Sequence, residues 1–216
     1  MTETSNPLPR INEPAPAFHA QTTHGERTLA HYAGKWLILF SHPADFTPVC
    51  TTEFIGFARA ADRFKALNCE LLGLSIDSLY AHIAWVRSIK EKFGVDIPFP
   101  IIEDLKMDVA RAYGMVHPAA SDTSAVRATF VIDPNGVLRA MMYYPMSNGR
   151  NVDEFVRLIQ ALQTSDAHKV ATPENWKPGE AVIVPPPKTA EAADARVGEG
   201  FDYTDWYFAR KLLPAE

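Results

Sequence analysis

The chain of 216 residues carries two cysteines, Cys50 and Cys69, and only the first stands among residues that suit a reaction. It falls in SHPADFTPVCTTE, residues 41–53. A thiol attacks as its thiolate, so a reactive cysteine needs something to lower its pKa from the free value of about 8.5. Thr47 is a good N-cap residue and Pro48 is the type favoured at the first helical position, which predicts Val49 and Cys50 in the first turn of a helix. Unpaired backbone N–H groups and the positive end of the helix dipole favour an anion there. Thr47 and Cys50 have the spacing at which an N-cap side chain and the third helical position face each other. A hydroxyl can therefore approach the sulfur, and Pro43 can wall off one side. A cysteine following a strand is by default an inert buried residue; the Pro/Thr/Cys spacing is what reverses that reading.

Positioning such a cysteine requires a strand, a loop and a helix in succession. WLILFS (36–41) is a short apolar run of the kind a buried strand shows. Phe54, Phe57, Ala58, Ala61 and Phe64 then recur at three- and four-residue steps, one face of an amphipathic helix. The alternation repeats: ELLGLSI (70–76) reads as a second buried strand, and Leu79, Ile83, Val86 and Phe93 as the stripe of a second helix. PFPII (98–102) predicts a strand, LKMDVARAYG (105–114) a short helix ended by Gly114, and ATFVID (128–133) the next strand. The turn Asp133-Pro134-Asn135-Gly136 joins it to VLRAMMYY (137–144) as an antiparallel hairpin, and Val152, Phe155, Val156, Ile159 and Leu162 mark a further helix. Strands alternating with helices indicate an α/β sheet with helices on both faces. Residues 1–35 read as a lead-in with short extended pieces. From residue 168 prolines break the pattern, the stretch 188–197 reads as helical, and the end, GFDYTDWYFARKLLP, is aromatic enough to suggest packing on a partner subunit. The expected organisation is a main domain, 1–167, and an extension, 168–216.

Composition narrows the function classes. Lys and Arg total 21 against 26 Asp and Glu with no long run of either sign, so neither a nucleic acid nor an anionic membrane is an expected partner. No segment approaches a membrane span and the N-terminus lacks a basic region followed by an apolar run, which predicts a soluble, cytoplasmic protein. The cysteines form neither a disulfide framework nor a zinc spacing, and no metal or cofactor is expected. His19, His82 and His168 show no ligand spacing and read as surface residues.

The pattern Pro43-x-x-x-Thr47-x-x-Cys50, with Glu53 beyond it, resembles the peroxidatic motif of peroxiredoxins, and the longer segment is similar to the one-cysteine, peroxiredoxin-6-like branch. LSIDS (74–78), PFPII, RATFVID (127–133), the YP followed by GRN (144–151), VATPENW (170–176) and the PG after it all fall where that family has related segments. The resemblance implies a thioredoxin-like fold with a C-terminal dimerisation extension, reduction of hydrogen peroxide and organic hydroperoxides, and a homodimer embraced by the tail, with higher oligomers left open. It implies Cys50 as the peroxidatic cysteine, Thr47 as the hydroxyl that positions the peroxide and Pro43 as the shield. Arg127 would support the thiolate and polarise the peroxide, Glu53 would orient Arg127, His42 would stand beside the site, and Arg150 is a candidate second arginine near the pocket. The Cys50 thiolate would displace ROH from ROOH and become a sulfenic acid.

Departures from relatives matter equally. Where two-cysteine relatives place a resolving cysteine in a segment like VATPENW this chain has Ala171, and where others resolve from the same helix it has Ile55. Cys69 lies beyond the far end of the helix from Cys50, out of disulfide reach, and reads as structural, with an intermolecular role as the lesser alternative. The sulfenic acid would therefore need an external thiol reductant. The region HYAGKWLILF has no serine, so a lipase activity found in some members of the branch is not carried over. Two other functions use the same features: a peroxide-sensing or chaperone-like protein with Cys50 as a switch, and a thioredoxin-fold binding module with an inactive cysteine.

Overall fold

The computed structural model describes residues 8–121, 123–196 and 200–214. The first seven residues of the lead-in and the last of the 188–197 stretch lie outside them. The chain forms two compact units, Met1–Val152 and Asp153–Glu216.

In the first unit the lead-in supplies a hairpin, β1 (His19–Thr22) and β2 (Gly25–Thr28), then a 3-10 turn at Leu29–Tyr32. β3 (Trp36–Ser41) follows, buried at every residue, and leads through residues 42–47 into α1 (Pro48–Ala66). Next come β4 (Cys69–Ser75), α2 (Leu79–Phe93), β5 (Ile101–Glu103), α3 (Asp108–Ala112), β6 (Arg127–Ile132) and β7 (Leu138–Tyr144). The strands form one sheet in the order β2-β1-β5-β4-β3-β6-β7, with β3, β4 and β5 parallel and β6 and β7 antiparallel to their neighbours. β5 is shorter than PFPII suggests, because Pro98 and Pro100 have no N–H to give a ladder. This is a thioredoxin-like mixed sheet flanked by helices.

Side chains alternate across β3 and so define two cores. On one face Phe40 stacks on Phe57 of α1 at 4.1 Å and meets Phe54 and Phe99 at 5.4 and 5.6 Å, and Phe54 in turn meets Trp85 of α2 at 4.6 Å. Gly73 of β4 makes room for this cluster, since a Cβ there would lie 3.1 Å from the Phe54 ring. On the other face Leu37 and Leu39 join Leu72, Leu74, Ile102 and Phe130, closed by Val109 and Ala110 of α3 and by Tyr113.

The stripe expected for α2 is displaced. Its buried residues are His82, Trp85 and Ile89, whereas Ile83 and Phe93 are exposed. His82 is therefore fully buried and not a surface residue, because the apolar face of the helix is centred on Trp85. His19 and His168 are exposed, as expected.

The second unit begins with α4 (Val152–His168, of which Val152 belongs to the first unit) and continues through β8 (Val182–Val184), α5 (Ala190–Ala195), β9 (Asp202–Asp205) and β10 (Phe208–Lys211). Its three strands form a separate antiparallel sheet, β8-β10-β9. Ala161, Val170, Trp176 and Val182 pack as its core with Leu213 against them.

Candidate active site

Cys50 lies in the first turn of α1 and is completely buried. Thr47 occupies the N-cap with extended backbone and Pro48 follows at the first helical position. The Thr47 hydroxyl does not cap the helix; it donates to the Ala44 carbonyl at 2.9 Å. Pro48 brings no N–H that needs a cap, and the Thr47 carbonyl accepts the Thr51 N–H at 3.0 Å, so the helix starts without the side-chain bond. The hydroxyl oxygen keeps its lone pairs as acceptors. Pro43 is half-buried in the same loop.

Arg127, the first residue of β6, crosses from the sheet to α1. Its Nη1 donates to Cys50 Sγ at 3.3 Å and to Glu53 Oε2 at 2.7 Å. Its Nε and Nη2 both donate to the Met146 carbonyl, at 2.9 and 2.7 Å, which fixes the plane of the guanidinium. Glu53 lies three residues after Cys50, on the same side of the helix. Arg150 grips it with a fork, Nε to Oε1 and Nη2 to Oε2, both 2.8 Å, and adds its backbone N–H to Oε1 at 2.8 Å. Arg150 Nη1 donates to the Ala128 carbonyl and Thr129 Oγ1, and its guanidinium lies over the Phe40 ring at 5.3 Å. Burial pushes the Glu53 carboxyl up, but the Arg150 hydrogen bonds and the charges of Arg150 and Arg127 outweigh it and hold the group below its ordinary range. Two guanidinium cations thus share one carboxylate, leaving one positive charge beside the sulfur.

His42 follows β3 directly and is fully buried. Its Nε2 pairs with Asp45 Oδ1 at 2.8 Å, and the other oxygen of Asp45 faces His82 Nδ1 at 2.7 Å. Asp77 Oδ2 accepts the Asp45 N–H at 2.9 Å and the Ser75 hydroxyl at 2.7 Å. Burial lowers the pKa of His42 against the opposing pull of Asp45. Burial raises that of Asp45, but hydrogen bonds from the two imidazoles bring it below the usual carboxylate value.

Cys50, Glu53, Arg127 and Arg150 are thus joined by direct hydrogen bonds. Thr47 is the N-cap of the helix that carries Cys50, Pro43 lies in the 42–47 loop before it, and His42 begins a second network. Sequence reasoning missed Asp45, Asp77, His82 and the Met146 carbonyl. The i, i+3, i+7 pattern His82-x-x-Trp85-x-x-x-Ile89 was the available signal for His82. A backbone carbonyl leaves no mark on residue type.

Cys69 opens β4, is 4 % exposed, and has its thiol pushed up to about 12 by burial and then by Glu70. Roughly 24 Å of helix separates it from Cys50, and both cysteines are free.

Residues 11–141 match the family model described as the AhpC/TSA family, and 161–200 match the C-terminal domain of 1-Cys peroxiredoxin. The chain is 56% identical over 217 residues to a peroxiredoxin of Aquifex aeolicus, covering 95% of this chain and 98% of that one. A peroxiredoxin of Methanosarcina mazei is 54% identical over 214 residues, covering 94% and 98%. Among solved structures, a yeast mitochondrial 1-Cys peroxiredoxin, studied for thiol resolution via glutathione/thioredoxin systems, superposes with a TM-score of 0.85 at 40% identity over 95% of this chain and 100% of that one. A variant of peroxiredoxin 6 from Arenicola marina gives 0.82 at 33% identity over 96% and 99%.

Proposed function

Because the chain belongs to the peroxiredoxin family and is a thiol peroxidase of its one-cysteine type, we propose that Cys50 is the nucleophile and that Thr47, Pro43, Arg127 and Glu53 form its chamber. The Cys50 thiolate attacks the terminal oxygen of a hydroperoxide, the O–O bond breaks, and RO⁻ leaves and takes a proton to give ROH. The sulfur becomes a sulfenic acid. The Thr47 oxygen, its own proton given to Ala44, accepts the hydroperoxide O–H and sets the line of attack. Arg127 makes four donor contacts to Met146, Glu53 and the sulfur, and its remaining Nη2–H serves the charge that develops on the peroxide oxygens. Glu53 and Arg150 act by holding Arg127 in place. Pro43 covers the loop side of the chamber.

The single observation that carries this reading is Arg127 Nη1, 3.3 Å from the sulfur and 2.7 Å from Glu53. Regeneration requires two molecules of an external thiol. The first attacks the sulfenic sulfur and releases water, leaving a mixed disulfide; the second releases Cys50 and carries away the oxidised thiol. The yeast relative points to glutathione and thioredoxin as the reductants to try first. The exposed Trp206, Tyr207, Phe208 and Leu212 support a homodimer formed through the extension. Two free cysteines suit a reducing compartment, the cytoplasm.

The test is turnover of hydrogen peroxide and an organic hydroperoxide by wild type and Cys50→Ala with a panel of thiol reductants. Wild type should cycle and Cys50→Ala should not. Equal turnover by both would sink the assignment, and consumption that stops after one equivalent despite ample reductant would favour a sensor.

A further inference from the structure

His42, Asp45 and His82 form a buried chain in which every hydrogen can be assigned from its partner. The Ile102 carbonyl can only accept, so His82 Nε2, 3.1 Å away, carries a proton and donates it. Asp45 faces the two rings with one oxygen each, at 2.7 Å from His82 Nδ1 and 2.8 Å from His42 Nε2. These distances are shorter than the roughly 3.3 Å between two ligand atoms on one tetrahedral zinc ion, and they are hydrogen-bond lengths. The chain is therefore linked by protons. With Asp45 held as a carboxylate, both facing nitrogens must donate to it. His42, whose pKa burial lowers and whose Nδ1 faces no acceptor among the described residues, holds its proton at Nε2.

What remains is His42 Nδ1, a bare lone pair on a fully buried ring, with no hydrogen-bond partner among the described residues. A buried acceptor left alone costs free energy and marks a place where a partner is expected. The ring packs against the reactive helix. It meets Phe54 edge-on at 4.7 Å, one turn beyond Cys50 on the same buried stripe of α1, and lies 5.1 Å from Trp85 of α2. The titratable groups that face His42 are Asp45 from the loop, His82 from α2 and Asp77 after β4.

We propose that His82 is a positioning residue, which through Asp45 fixes His42 in the tautomer with Nδ1 unprotonated and so sets the state of the ring that packs on Phe54 of the helix carrying Cys50. This deepens the reading of Cys50 as nucleophile and rests on it. Without His82, Asp45 Oδ2 loses its partner, and the carboxylate and the ring it holds are free to turn.

The experiment is two-bond proton–nitrogen correlation NMR of the histidine rings in the reduced, full-length protein around neutral pH, with His42→Asn used to assign the His42 signals. Wild type should show Nδ1 of His42 as an unprotonated nitrogen and Nε2 as a protonated one. In His82→Leu the two signals should exchange or average, and the rate of Cys50 oxidation should fall about 10- to 100-fold, the scale on which removing the outer partner of an oriented histidine acts. A protonated Nδ1 in wild type overturns the proposal, and so do wild-type His42 signals in His82→Leu. If His82→Leu does not fold, the wild-type spectrum and His82→Gln, which keeps bulk and an amide donor but no imidazole, decide it on the same signals. The spectra are read before any peroxide is added, so they separate this proposal from the assignment of Cys50.

Discussion

Glu53 is the residue on which the site turns, because its two oxygens receive Arg127, the Arg150 fork and the Arg150 backbone N–H together. Replacing one member of a buried ion cluster leaves the others uncompensated, so Glu53→Gln should cost about 3–5 kcal/mol in a denaturant melt. It should also slow Cys50 oxidation, since Arg127 would lose the partner that aims it. The same carboxyl predicts an acid limb. An unfolded glutamate titrates near pH 4.3 and the folded group titrates lower. Its stabilisation is therefore complete above the unfolded value and is lost as pH falls through the folded one. Stability of the wild type followed downward from about pH 5 should fall more steeply than that of Glu53→Gln. Thr47→Val removes the acceptor oxygen and the bond to the half-buried Ala44 carbonyl, which water can replace, while no helix N–H loses a partner. Peroxide reactivity should drop about a hundredfold with the melting temperature almost unchanged, whereas Thr47→Ser should retain most activity. A large loss of stability in Thr47→Val would mean that the hydroxyl has a structural role.

At the scale of elements, the reactive helix is registered on the sheet by the close approach of Phe54 to Gly73. Gly73→Ala would put a methyl 3.1 Å from that ring, which is already packed against His42, Trp85, Phe40 and Phe99 and has little room to yield. A destabilisation of about 1–3 kcal/mol is expected in thermal unfolding, together with slower peroxide reduction as Phe54 moves α1. Sequence patterns located these elements well where the period was long or the apolar run continuous. WLILFS is β3 to the residue, and the Phe54–Phe57–Phe64 face of α1 is the buried one. They failed on α2, where apolar residues lie all round the helix and Ile83 and Phe93 competed with Trp85 and Ile89 for the inner face. Choosing the wrong face turned His82 outward and concealed the second network. The strands of the extension were missed for another reason. β8 is an apolar run of only three residues before Pro185, too short to stand out, and β9 is Asp-Tyr-Thr-Asp, with one aromatic among polar residues. At the candidate site the motif pointed to Cys50 and Thr47 and the segment RATFVID to Arg127, but the Met146 carbonyl and Asp45 depend on loop conformation, which residue type does not encode.

The whole molecule has an extension whose last strands leave Trp206, Tyr207, Phe208 and Leu212 exposed in the single chain. If they form the proposed dimer, Trp206→Ser with Tyr207→Ser should shift sedimentation from dimer toward monomer. An unchanged dimer would place the interface elsewhere. The cluster at Cys50 also has to be set against the charge of the entire protein. Two guanidinium groups on one carboxylate leave a local surplus of one positive charge inside a molecule of formal net charge -5. A hydroperoxide is neutral and diffuses in without sensing the outer field, so its reaction should not depend on ionic strength. A thiolate reductant approaches against the negative exterior and is attracted only within about 10 Å of the surplus charge. Added salt should therefore accelerate recycling and leave oxidation untouched, which makes the electrolyte around the protein a control on how long each chain waits in its oxidised form.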